Sequence, residues 1–143
     1  KNIALTHWSY FENWDPYRNY LLAKEKCGLV EYETPNESTF TNFAQTDQAL
    51  YALHMYLCFV KFGFGRATQD AGVEIRRGAM TREQGINLVN LYDGQYPEQF
   101  IDLYLDYFRI TKNKFDSIIR KWANKDILSE EDSGVWKLKF NIN

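Results

Sequence analysis

The sequence predicts a mainly α protein: a compact helical domain of about five to six helices, with a long connector and a short strand-like C-terminal tail. Three observations carry this. Helix start and stop signals recur along the chain, apolar residues between them repeat at helical spacing, and strict apolar-polar alternation shows only in Val135-Trp136-Lys137-Leu138-Lys139-Phe140. At 143 residues the chain reads as a single domain, able to remove about 68–70% of its unfolded surface from water.

Ile3-Ala4-Leu5 reads as the end of a strand belonging to a preceding segment. His7-Trp8-Ser9-Tyr10-Phe11-Glu12-Asn13-Trp14 follows, too aromatic for a free tail. Asp15 as N-cap and Pro16 at the first helical position start a helix that Gly28 ends, so it spans Pro16 to Cys27. Glu31, Glu33, Pro35, Asn36 and Glu37 break any helical period, which makes Leu29 to Phe43 a connector of a length often tied to function. Thr46 or Gln45 caps a helix that is apolar on all sides from Ala49 to Val60 and is expected to be buried all round.

Thr81-Arg82-Glu83-Gln84 has capping-box spacing and opens a helix that stops at Asp93-Gly94. Pro97 starts another through Phe108, and Thr111 caps one through Phe115, Ile118, Ile119 and Trp122. Ser129 to Gly134 reads as an acidic turn, and the alternating tail after it is expected to pair with something outside the chain.

Composition narrows the function. Aromatics make up 17% of the residues, enough to fill a core or to line a groove for sugar and base, and the sequence leaves both readings open. Seventeen basic and 19 acidic residues give a net charge of −2, with no overall field for a phosphate backbone, so nucleic-acid binding is not expected. The two short helices around Thr111 have a helix-turn-helix look, but this charge balance argues against DNA reading. The apolar run from Ala49 to Val60 is 12 residues long, short of the ~20 that a membrane span needs. Cys27 and Cys58 lack metal-ligand spacing and are expected as reduced thiols in a cytoplasmic protein. No metal set and no Ser-His-Asp or Cys-His arrangement is legible. His54, alone in an apolar helix, and His7 are read as hydrogen-bonded residues first and catalytic ones second.

The stretch from Lys61 to Gly78 concentrates glycine, charge and helical order. Gly63 and Gly65 allow a backbone turn with exposed N–H groups, and Lys61 and Arg66 flank it, a pattern suited to an anion-binding nest. If a helix begins near Ala67, Arg66, Asp70, Glu74 and Arg77 share one arc, while Ala67, Thr68, Ala71, Gly72 and Ile75 form an opposite face of mostly small residues. The alternative is a plain connector followed by a surface helix laced with ion pairs.

The runs Thr41-Asn42-Phe43-Ala44-Gln45-Thr46-Asp47, Lys61 to Arg66, Glu74-Ile75-Arg76 and Thr81-Arg82-Glu83 resemble the C-terminal part of the N-acetyl sugar amidotransferase family. The similarity covers nearly the whole chain in order, and Lys61 to Glu83 is its most specific block. The resemblance implies an ATP-pyrophosphatase reaction in surface-polysaccharide or flagellin-glycan biosynthesis, with Mg-dependent ATP as cosubstrate. It implies a nucleotide-linked acetamido sugar as acceptor, and glutaminase and ammonia-channelling subunits as partners. Carried onto this chain, it gives Lys61, Gly63, Gly65 and Arg66 to nucleotide phosphate or pyrophosphate. Asp70, Glu74 and Arg76 become substrate contacts or site support. Asp47, at the start of the apolar helix, is read either as orienting a substrate hydroxyl or as an acidic first-turn residue favoured by the helix dipole.

That family resembles other ATP pyrophosphatases in an N-terminal Ser-Gly-Gly-x-Asp-Ser loop. The present chain has only Ser133-Gly134 followed by Val135, and it begins with Lys1. It is therefore expected to be a C-terminal piece, inactive alone. The competing expectation is a helical protein-protein interaction domain without a catalytic role.

Overall fold

A computed structural model of the chain describes residues 3–45, 48–131 and 134–142. These fall into two units, Lys1–Val30 and Glu31–Asn143.

In the first unit a 3₁₀ turn, Trp8–Tyr10, precedes helix α1, Pro16–Cys27. The start and stop of α1 are the predicted ones. Asp15 accepts a hydrogen bond from the Arg18 amide at 2.9 Å, and Gly28 ends the helix at φ 69°. The residues before α1 show neither a strand nor a packed aromatic core. Ile3-Ala4-Leu5 forms no strand, and the aromatic cluster is exposed. Its rings rest on one another instead, with Trp8–Phe11 and Tyr10–Phe11 centroids 6.0 and 5.3 Å apart. The Trp8 indole donates to Glu12 at 3.0 Å.

The second unit is built around α2, Leu50–Phe62. Tyr51, Ala52, Leu53, Met55, Tyr56, Phe59 and Val60 are buried. Leu50, His54, Leu57 and Lys61 are exposed, so the helix is not buried all round as expected. Those four positions recur at helical spacing and form one solvent stripe, which the apolar character of Leu50 and Leu57 conceals in the sequence. His54 lies on that stripe and is no core histidine. Gln45 is not the cap either: it sits outside the helix at φ 53°, and α2 begins after Ala49 with no side-chain cap. Thr46 lies outside the described residues.

Gly63, at φ 79°, ends α2, and α3, Arg66–Arg76, begins after Gly65. The small-residue face of α3 is real: Ala67 and Ala71 are buried, and α4, Arg82–Tyr92, packs against them. Gly85 of α4 comes so close that a Cβ there would meet the Ile75 side chain at 2.8 Å. The capping box of α4 forms in both directions: the Gln84 amide donates to the Thr81 hydroxyl at 3.2 Å, and the Thr81 amide to the Gln84 side chain at 2.9 Å.

Pro97 opens a 3₁₀ turn, Glu98–Phe100, before α5, Ile101–Phe108, which therefore starts later than expected. Thr111 caps α6, Lys112–Trp122. The chain closes on an antiparallel hairpin, β1 (Leu128–Glu130) against β2 (Trp136–Leu138), in the register Leu128↔Leu138 and Glu130↔Trp136. The tail is thus a strand, but it pairs within the chain, and β1 occupies part of what reads as an acidic turn. Leu128 and Trp136 carry the hairpin onto a core formed with Leu53, Tyr56, Phe59, Val60, Ile101, Tyr104, Phe115 and Ile119.

The connector is held by hydrogen bonds in place of a regular element. Tyr32 N–H donates to Asn42 O at 2.9 Å, and Asn36 N–H to Thr41 O at 2.9 Å. Ser38 and Thr39 are 1% and 0% exposed, so this polar turn is a buried plug whose groups need partners.

Candidate functional site

The N-terminus of α3 presents backbone donors toward the end of α4, and Asp93 takes them. Its Oδ2 accepts from Gly65 N–H at 2.9 Å and from the Thr68 hydroxyl at 2.5 Å, while Oδ1 accepts from Ala67 N–H at 2.9 Å. A carboxylate at a helix N-terminus meets unpaired N–H groups and the positive end of the dipole together. Glycine at 65 is what lets it approach, because a Cβ there would lie 2.7 Å from Asp93 Oδ1. Ala67 N–H is shared with Ser38 O at 3.2 Å, which ties the connector to the same point.

On the next turn Arg66 Nε donates to Asp70 Oδ1 at 2.7 Å. Asp70 Oδ2 accepts from the Thr39 hydroxyl at 2.7 Å and the Thr41 hydroxyl at 3.4 Å. This pair is mostly shielded, so it is worth more than an exposed one, and it fixes the guanidinium beside the α3 N-terminus. Burial pushes the neighbouring Tyr51 hydroxyl up to about 12, against the lowering influence of Arg66 and with a further rise from Asp70.

Of the residues singled out in the sequence, Gly63, Gly65, Arg66 and Asp70 gather at the α2–α3 turn and the first turns of α3. Lys61 stands on the exposed last turn of α2, its Nζ 5.2 Å from the Phe62 ring centroid. Glu74 pairs with Arg77 at 2.7 Å one turn further along, and Arg76 is exposed at the far end of α3, about 15 Å from Arg66 along the axis. Lys61, Arg66 and Arg76 therefore do not converge on one point. Asp47 lies outside the described residues.

A cleft of about 790 Å³ opens between the end of α4, α6 and the hairpin, with Gly63, Asp93, Tyr96, Lys112, Arg120 and Trp136 among its walls. Two ion pairs lie on its walls, Lys112 with Asp116 at 2.8 Å and Arg120 with Glu130 at 2.7 Å. The hydrogen bond to Asp116 holds the Lys112 ammonium above its ordinary pKa. Sequence reasoning missed this cleft, because its walls come from four separated segments that only tertiary packing brings together. The one signal for Asp93 was the Asp-Gly pair at positions 93 and 94, which reads locally as a helix stop. Both cysteines are free, and burial, with Asp93 nearby, raises the Cys58 thiol, which makes it a poor nucleophile.

Glu37 supplies a pH test. Its Oε1 accepts from Gln99 N–H at 3.3 Å, yet burial outweighs that bond and raises the carboxyl above its ordinary value of 4.5. A raised folded-state pKa means that the contribution of Glu37 to stability is full below 4.5 and is lost as pH climbs through the folded-state value. Glu37→Gln is expected to flatten that part of the pH dependence and to be the more stable form near neutrality. Urea denaturation of both proteins at about pH 4 and about pH 7 reads this directly.

These features define a helical domain with a carboxylate-braced helix N-terminus beside an open cleft. The chain belongs to the family described as LPS biosynthesis protein WbpG-like, C-terminal domain, which it matches over residues 37–142. No curated protein matches the chain. The match begins inside the buried connector and takes in every element from α2 to β2. Among the described residues no helix is long and apolar enough to cross a membrane, and no group of three or more His, Cys, Asp or Glu residues stands close enough to hold a metal ion.

Proposed function

We propose that this chain is the C-terminal region of an ATP-dependent amidotransferase that converts the acetamido group of a nucleotide-linked sugar to an acetamidino group. The observation that carries the reading is the family match, which spans the block from Lys61 to Glu83 on which the amidotransferase resemblance is most specific. In that chemistry the amide oxygen attacks the α-phosphorus of Mg-bound ATP and pyrophosphate leaves; ammonia then adds to the amide carbon, and AMP departs with the oxygen. Ammonia comes from a glutaminase through a channelling subunit, and the reaction takes place in the cytoplasm.

The donors set the limits of the local role. Because Gly65 and Ala67 N–H groups are engaged by Asp93, a phosphate near α3 would be met by side chains: the Lys61 ammonium and the Nη groups of Arg66. Asp70 holds Arg66 through Nε, leaving the Nη edge of the fork for an oxyanion. Gly63 and Gly65 shape the turn between the two cations, and Glu74 and Arg76 brace the outer part of α3. These residues position and neutralise an anionic group; the phosphate cradle itself is assigned to the rest of the enzyme.

The intact enzyme, supplied with ATP, an ammonia source and an acetamido sugar nucleotide, is expected to release pyrophosphate and AMP in step with amidine formation. Release that does not depend on the sugar, or amidine formation without AMP, contradicts the reading. A helical interaction domain is the second reading, favoured by the exposed Leu103, Tyr107, Phe108 and Trp122 on α5 and α6.

A further inference from the structure

Helices α5 and α6 each turn an apolar column to solvent, and the charges beside the two columns are of opposite sign. On α5, Leu103 and Tyr107 stand one turn apart, with Asp102 and Asp106 in the next column; all four are exposed, Tyr107 to 70%. On α6, Lys114, Ile118, Lys121 and Trp122 fall at i, i+4, i+7 and i+8, one exposed stripe on which Trp122 reaches 69%. Lys121 Nζ lies 5.4 Å from the Trp122 ring centroid, over the same stripe. The charges of α6 that line the larger cleft are used within the chain, Lys112 by Asp116 and Arg120 by Glu130. Among the described residues Asp102, Asp106, Lys114 and Lys121 have no ion-pair partner.

Exposed apolar residues scattered singly need no explanation, but paired columns carrying a Tyr and a Trp have the make-up of a protein interface. Charge says what covers them. The carboxylates beside Leu103 and Tyr107 repel nucleic acid and anionic lipid and suit ammonium groups; the ammoniums beside Ile118 and Trp122 suit carboxylates. Each face supplies what the other lacks, and both belong to one chain. A surface complementary to another on the same molecule fits a second copy.

We propose that the chain pairs with a second copy of itself, α5 of one protomer lying on α6 of its partner and the reverse. Leu103 and Tyr107 then cover Ile118 and Trp122, and Asp102 and Asp106 face Lys114 and Lys121. Made twice about a two-fold axis, the contact closes at a dimer. The inference goes beyond the amidotransferase chemistry, which stands or falls by its own assay. It names a partner for the interaction-domain reading and rests on that reading for treating this surface as a docking face. A chain that stays monomeric removes the self-pairing and leaves that reading to other partners.

Sedimentation equilibrium of the 143-residue chain, from about 1 to 500 µM, is the test. The expected result is a monomer-dimer equilibrium with a dissociation constant below about 100 µM, weakened at least about threefold in 0.5 M salt. Two charge-reversed proteins follow, Asp102→Lys with Asp106→Lys, and Lys114→Glu with Lys121→Glu. All four side chains are exposed, so melting temperatures in dilute solution are expected within about 3 °C of the parent. Each reversed protein sets like charge against like and is expected to be monomeric; mixed in equal amounts, the two regain both contacts and pair as tightly as the parent. Trp122→Ala, at a mostly exposed position, is expected to weaken the parent dimer about tenfold. The proposal is overturned by a parent chain that is monomeric throughout, by a dimer that either reversal or Trp122→Ala leaves unchanged, or by folded reversed proteins that fail to pair when mixed.

Discussion

Asp93→Ala is expected to destabilise the fold by about 3 kcal/mol, a fall of about 10 °C in melting temperature for a domain of this size. The carboxylate accepts three hydrogen bonds, from Gly65 N–H, Ala67 N–H and the Thr68 hydroxyl, and each bond to a charged acceptor is worth about 1.5–3 kcal/mol. The sum is not reached, because Ala67 N–H keeps Ser38 O and Thr68 can turn to water. Gly65 N–H is the group left buried without a partner. Asp93→Asn keeps one acceptor and is expected to cost about half as much. Thermal and urea denaturation of the three proteins measure this, and a loss below about 1 kcal/mol for the alanine variant would mean that the α3 N-terminus finds other partners.

Gly94→Ala is the second large effect, at about 3 kcal/mol. The residue sits at φ 81°, and a Cβ there would lie 2.6–2.9 Å from three atoms of the Phe59 ring. Phe59 is buried in the main core with Tyr56, Val60, Leu128 and Trp136, so moving its ring disturbs that packing. Gly78→Ala separates the two causes. Gly78 has φ 78° with nothing within 4 Å of an added Cβ, so only backbone strain remains, about 1 kcal/mol. Equal melting temperatures for the two variants would remove the ring clash from the account.

Position along the chain explains what could be read in advance. The starts of α1, α4 and α6 are written by residues that bond their own first turn, Asp15 to the Arg18 amide, Thr81 to Gln84 and Thr111 to the Lys114 amide. Such caps are local and visible. The small face of α3 was equally plain, since Ala67 and Ala71 recur at helical spacing. Asp93 was not, because its partners lie more than 20 residues upstream and nothing near it in sequence asks for a half-buried carboxylate there. The polar plug at Ser38 and Thr39 is of the same kind: a loop by composition, fixed by Asp70 and Gln95 from elsewhere. The solvent face of α2 was hidden because Leu50 and Leu57 occupy it. In β1, three strand residues that pair with Trp136 to Leu138 fall partly within an acidic run, where no alternation can show.

For the candidate site the turn and its glycines were legible, and the geometry adds what surrounds them. Gly63 packs under Ile127 and Leu138, and Gly65 against Asp93, so both are required by close approach. Lys61 and Arg66 flank that turn, Arg66 paired with Asp70, and the proposed role gives them to an incoming anion.

The most direct test of the proposed role is the rate of pyrophosphate release by the intact enzyme carrying Lys61→Ala and Arg66→Ala together, with melting temperature measured in parallel. Loss of two charge-assisted phosphate contacts predicts a fall in kcat/KM of about 100-fold or more in a protein that remains folded. A folded double variant that releases pyrophosphate within about threefold of the unaltered enzyme would contradict it.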